Sequence, residues 1–109
     1  MFHSNMVFIA RSKEEAESIL EQFDQCGITW ASGDHTTSFT QYTKSGTGYL
    51  VQHSGIHSCL VIAYFPLVEG ALPAFIKEQI EEGSLDAPIE VSGWLGDCTQ
   101  TIDTIEDLM

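Results

Sequence analysis

Positive charge is scarce in this sequence. Lysine and arginine together number 4 against 16 aspartates and glutamates, a net charge of −12 at pH 7 over 109 residues. Nucleic acids are gripped chiefly by lysines and arginines that displace counterions from phosphates, so direct nucleic-acid binding is excluded as an expectation. An anionic membrane surface is disfavoured for the same reason. Long apolar runs are missing as well. The longest, Cys59–Phe65, falls far short of the roughly 20 residues of a membrane helix. The apolar stretch Met6–Ala10 ends at Arg11 with no positive segment before it, so no signal peptide is expected. Cysteine is limited to Cys26, Cys59 and Cys98. An odd number without paired spacing suits reduced thiols in a cytoplasmic compartment better than a disulfide framework.

Signatures of catalysis are also absent. The chain has no Gly-x-Ser-x-Gly elbow, no phosphate-binding Walker loop, no Rossmann glycine pattern and no His-Glu-x-x-His. No catalytic residue and no cofactor is assigned, although a small enzyme built from dispersed residues stays open as an alternative. The charge imbalance itself has an informative origin. Charged residues make up 18% of the chain, below the roughly 25% of ordinary globular domains. The surface is negative because bases have been left out, more than because acids have been added.

What is present is enough apolar material for one α+β domain spanning residues 1–109: 43% hydrophobic, with 2 tryptophans, 3 tyrosines and 6 phenylalanines. Met6–Arg11 reads as a strand. Ser12 with Glu15 three residues on is a capping box, opening a helix whose apolar face is Ala16, Ile19, Leu20 and Phe23 and whose stop is Gly27. Ile28–Trp30 is a short strand. Ser38–Thr43 and Tyr49–His53 flank Lys44–Gly48 as a hairpin, and Cys59–Phe65 is a continuous strand, central in the sheet with antiparallel neighbours. A second helix is expected over Leu72–Glu82, with Pro73 in its first turn, Gly83 beyond its end and Leu72, Phe75, Ile76 and Ile80 as its apolar face. Ile89–Val91 alternates like an edge strand. The predicted fold is a small antiparallel sheet with two helices packed on one face, in the order β-α-β-β-β-α, followed by an acidic tail. Its predicted core is Phe8, Ile19, Leu20, Phe23, Trp30, Val61, Ile62, Phe75, Ile76 and Ile80.

The acids fall into groups. Glu14, Glu17, Glu21 and Asp24 recur at steps of three, four and three, forming a stripe about 15 Å long at 1.5 Å per residue. The plain alternative is a solvated helix face. Ordinary exposed helices pair such acids with lysine or arginine one turn on, and here only Lys13 stands nearby. A row of carboxylates without counterions imitates a phosphate backbone. Asp103, Glu106 and Asp107, with Asp97 before them, form a second set on the tail, where the alternative is a hydrated terminus. Glu78, Glu81 and Glu82 form a third, with the last two at a helix end whose dipole prefers cations.

Other constellations point less far. His53, His57 and Cys59, with His35 or Cys98, form a zinc set on paper, but the histidines straddle a Ser-Gly turn instead of sharing a helix face. Surface histidines and a buried thiol are the expectation, with no metal. Ser45–Gly48 resembles a phosphate nest but lacks the following lysine and helix, so it reads as a turn. Trp30, Trp94 and the tyrosines suggest a competing function, a nucleotide-signal sponge whose pocket lies at a homodimer interface. Four bases make such a chain a poor host for phosphates.

The stretch Ser12–Gly33, a Glu-rich helix followed by Cys26-Gly27-Ile28-Thr29-Trp30-Ala31-Ser32-Gly33, resembles small acidic accessory proteins of phages and mobile elements. In those proteins a short helix is likewise followed by Gly-x-x-Trp-x-x-Gly and a sheet. The resemblance covers about a fifth of the chain and carries over no catalytic residue. It implies an anti-CRISPR or other anti-defence inhibitor acting in the host cytoplasm. Such an inhibitor binds the basic, nucleic-acid-gripping surface of a host complex. The acidic stripe and the tail carboxylates are then the expected contacts, with Phe39, Tyr42 or Trp94 as apolar anchors.

Overall fold

The computed structural model describes residues 2–54 and 59–94. Its elements are β1 (Val7–Ala10), α1 (Lys13–Gln25), β2 (Thr29–Trp30), a 3-10 turn at Thr36–Ser38, β3 (Thr47–His53), β4 (Leu60–Pro66), α2 (Ala74–Glu81) and β5 (Ile89–Glu90). The α+β class stands. The expected edge strand at Ile89–Val91 is present as β5, at the margin of the sheet and outside the six-element order. A 3-10 turn stands where Ser38–Thr43 was expected as a strand, and residues 91–94 make a further helical turn.

The sheet is mixed, not antiparallel. Its strand order is β2-β4-β3-β1-β5. β3 pairs antiparallel with β1 and with β4, whereas β2 joins β4 and β5 joins β1 in parallel. β1, β2, β4 and β5 therefore run one way and β3 alone runs back. This creates two crossovers, β1-α1-β2 and β4-α2-β5, which step across the sheet in opposite directions. Crossovers between parallel strands keep one hand, so two that step oppositely must pass over opposite faces.

That is the observed packing, and it corrects the expectation of both helices on one face. Phe8, Ala10, Tyr49, Val51 and Ile62 meet Ala16, Ile19, Leu20 and Phe23 of α1 on one side. Val7, Ile9, Leu50, Phe65 and Leu67 meet Ile76 of α2 and Leu85 on the other. Of the predicted core, Phe8, Ile19, Leu20, Phe23, Trp30, Ile62 and Ile76 are buried. Val61 and Ile80 are half-buried. Phe75 is 55% exposed, because α2 begins only at Ala74 and turns Ile76 and Ile80 inward.

Local signals at α1 act as written in the sequence. The Ser12 hydroxyl accepts the Glu15 N–H at 3.2 Å. The Glu15 carboxylate returns one residue earlier than a standard box, accepting the Arg11 N–H at 3.1 Å. At the far end Gly27 sits at φ +77°, with Ile28 N–H on Phe23 O and Gly27 N–H on Asp24 O. This is a Schellman stop, and its usual apolar contact is supplied by Ile28 and Phe23.

Ser38–Thr43 is not a strand, so the expected hairpin there is replaced by the one joining β3 to β4. The segment is held instead by side chains: the Tyr49 hydroxyl donates to Thr40 O at 2.5 Å, and Thr43 N–H donates to Thr47 Oγ1. At the start of β1, Asn5 (φ 75°) donates to Val51 O while Val51 N–H donates to Met6 O. This is a G1 bulge with asparagine in the position usually held by glycine. It fixes the ladder: Val51 hydrogen-bonds toward β1, so Gly48, Leu50 and Gln52 turn theirs toward β4.

The Phe65 ring lies over Gly48 of β3. A Cβ built at Gly48 would stand 2.1 Å from Phe65 Cζ. Gly48→Ala is therefore expected to cost about 1–3 kcal/mol through overpacking. Leu20→Ala and Phe23→Ala should each cost about 2–5 kcal/mol through cavity formation. Urea unfolding measures all three, and an unchanged midpoint for Gly48→Ala would show that the ring yields freely.

Candidate functional site

Burial of Ile19, Leu20 and Phe23 forces the opposite side of α1 outward, and that side carries the acidic stripe. Glu14, Glu17 and Glu21 are exposed and Asp24 is half-buried. Glu17, Glu21 and Asp24 line a groove of about 420 Å³, together with Leu20, Gln25, Thr37 and Thr40. Glu14 lies a turn toward the N-terminus, outside the groove. The opposite wall is the 31–43 segment, pinned to the helix by the buried Thr36 hydroxyl, which donates to Leu20 O at 2.5 Å.

Counterions are few. Arg11 is committed elsewhere: its Nε and Nη2 grip the two carboxylate oxygens of Glu90 at 2.8 and 3.1 Å, and Nη1 donates to Gly70 O at 2.8 Å. The hydrogen bond and charge of Glu90 raise the Arg11 pKa. Among the described residues no lysine forms an ion pair; the pairs are Arg11–Glu90, His3–Asp86 and His35–Asp24. The last corrects one expectation, since Asp24 Oδ1 lies 2.8 Å from His35 Nδ1 and is not an unpartnered carboxylate. Asp97, Asp103, Glu106 and Asp107 lie outside the described residues. Glu78 and Glu81 belong to α2 and Glu82 caps its end, across the sheet from the stripe, so the two sets do not form one patch.

Other expected sites come apart or change character. Cys59 is exposed, not a buried thiol, and shares a hollow of about 250 Å³ with Cys26, Phe2 and Leu60. His57 and Cys98 are outside the described residues, and among those described no three His, Cys, Asp or Glu side chains converge on a metal position. Trp30 and Trp94 sit in separate aromatic groups. Trp94 stacks on Phe2 and meets Phe8 edge-on, its Nε1 donating to Gln22, whereas Trp30 meets Tyr49 and Tyr64. Gly46 spends its N–H on Thr43 and its C=O on Leu67 N–H, so the Ser45–Gly48 turn serves the fold. Burial raises the pKa of the Tyr49 phenol, which keeps it a neutral donor to Thr40.

Trp30, Ala31, Ser32, Phe39, Gln41, Ile62, Ala63 and Tyr64 enclose a hollow of about 330 Å³. Phe39 is one of the expected anchors and Trp30 with the tyrosines is expected to line a pocket; the sequence does not show that Phe39, Trp30 and Tyr64 meet on one side of the β2–β4 edge. Alternation along β4, which puts Ile62 and Tyr64 on one side, was the available signal. Comparison with family models, with curated proteins and with solved structures returns no match to this chain.

The groove depends on the Thr36 bond. Thr36→Val is expected to lose about 0.5–1.5 kcal/mol and to speed amide exchange over residues 35–40. Unchanged exchange there would mean that the segment is held by other contacts.

Proposed function

We propose that this protein is an acidic inhibitor that covers a basic, nucleic-acid-gripping surface of a host defence complex. The observation that carries the reading is the groove beside α1, where Glu17 and Glu21 face solvent beside the half-buried Asp24 and no lysine or arginine contributes to the lining. Glu14 extends the row, and Asp103, Glu106 and Asp107 form a second patch in this reading. Glu14, Glu17 and Glu21, which no lysine or arginine partners among the described residues, keep their attraction for a partner's cations. A net charge of −12 adds long-range steering, which mainly speeds association. Salt screens that steering over roughly 8 Å at physiological ionic strength. Rim charges alone supply little affinity, so an apolar anchor must share the contact.

Pulldown from host extract, identified by mass spectrometry, is to be repeated with Glu14, Glu17 and Glu21 changed to Gln and Asp24 to Asn. The expected partner is a nucleic-acid-binding complex, bound about tenfold more slowly by the neutralised variant and with a flatter salt dependence. A partner unrelated to nucleic acid, or equal binding at every salt concentration, makes the row a solvated helix face only.

A further inference from the structure

β2 is two residues long, whereas β4 beside it has seven. Their pairing ends at Trp30↔Ile62. Just beyond, the chain turns away: Gly33, at φ +93°, donates its N–H to Trp30 O, and Trp30 N–H goes to Asp34 O. Among the described residues, the outer flank of β4 is thus left without a neighbouring strand from Ala63 onward.

The ladder shows which groups lie open there. Gly48, Leu50 and Gln52 hydrogen-bond toward β4, opposite Phe65, Ala63 and Val61. Those three β4 residues direct their backbone groups at β3. Ile62 and Tyr64 direct theirs outward, and only Ile62 is met by β2. The Tyr64 N–H and C=O therefore form an open rung, closed on one side by Pro66, which has no N–H to extend it.

Beside this rung lies the 330 Å³ hollow, with Trp30 in its lining and Phe39 and Tyr64 contributing side chains 50% and 45% exposed. Trp30 is itself 7% exposed, and its Nε1 has no hydrogen-bond partner among the described residues. An open backbone rung next to an aromatic hollow is what strand addition requires: main-chain bonds hold an extended peptide and a pocket takes an alternate side chain. Among the described residues the hollow's lining carries no charge, and Asp34 stands by it, bonded to Ser32.

We propose that the Tyr64 edge of β4 receives an extended segment of a basic partner, which adds one rung to the sheet and seats an apolar side chain among Trp30, Phe39 and Tyr64. Charge selects the occupant. A second copy brings another −12 to the contact, whereas a lysine-bearing segment is attracted by the whole field. This surface is separate from the α1 groove and stands or falls without it.

The probe is a blocked seven-residue peptide alternating lysine and valine around a central tyrosine, titrated into the isotope-labelled full chain and followed by NMR. Shifts at the Tyr64 amide and the Trp30 indole are expected, with Tyr64 exchange slowed about tenfold at saturation. Replacing the peptide's lysines with glutamates, or making Phe39→Ser in the protein, should weaken binding about tenfold. Glu17→Gln with Glu21→Gln should leave the Tyr64 response in place. Unchanged Tyr64 exchange at saturation, or shifts confined to the α1 groove, overturns the proposal. So does concentration-dependent dimerisation that protects Tyr64 without peptide, which would make a second copy the occupant.

Discussion

Removal of both faces of β1 and β3 from water is the constraint on which the rest of the molecule depends. Val7, Phe8, Ile9 and Ala10 are all buried, as are Tyr49, Leu50 and Val51 beside them. No single helix layer covers both sides of such strands, so α1 must seal one face and α2 the other. Each fully buried aliphatic or aromatic side chain contributes about 1.5–3 kcal/mol. With Ile19, Leu20 and Phe23 spent on the seal, the polar side of α1 has nowhere to go but outward. The 31–43 segment fills the remainder of the same face, and the groove is the seam between the two.

The electrostatic character follows from how the few cations are deployed. Arg11 is a fastener: its fork joins the end of β1 to β5 and to the Gly70 carbonyl, half-exposed and so of modest strength. It closes an otherwise short parallel pairing of two residues. None of the three lysines offsets an acid by an ion pair among the described residues. The acids of α1 and those of α2 are held apart by the thickness of the sheet and its two helices, which limits their mutual repulsion while leaving the field of each face intact.

Much of α1 was legible because its determinants are local. A cap, a four-residue apolar face and a stop glycine all act within one or two turns, and each is found in place. The sheet was less legible for physical reasons. β2 and β5 are found where the sequence places short strands, but with two residues each they carry no signal of direction, and their parallel pairing is decided by the crossovers. Ser38–Thr43 carries strand-forming threonine, phenylalanine and tyrosine, yet the Tyr49 hydroxyl and Thr47 capture its backbone first. Phe75 looked internal because Leu72 was counted into the helix; Pro73 stands at the cap and shifts the inward face to Ile76 and Ile80. As for the site, the acidic spacing was visible, but not the His35 partner of Asp24, which comes from a loop eleven residues on. The open rung at Tyr64 depends on where β2 stops, which the spacing of residues does not reveal.

The Gly48–Phe65 contact has a bearing on how this sequence can drift. The ring fills the volume that any side chain at position 48 would need, so the two sites share one parcel of space. Effects of substitution at residues that share space are not additive. A larger residue at 48 requires the ring at 65 to shrink or move, and a smaller residue at 65 leaves a void beside 48. Each single step passes through a less stable intermediate, so the two positions are coupled and a change at one is felt at the other.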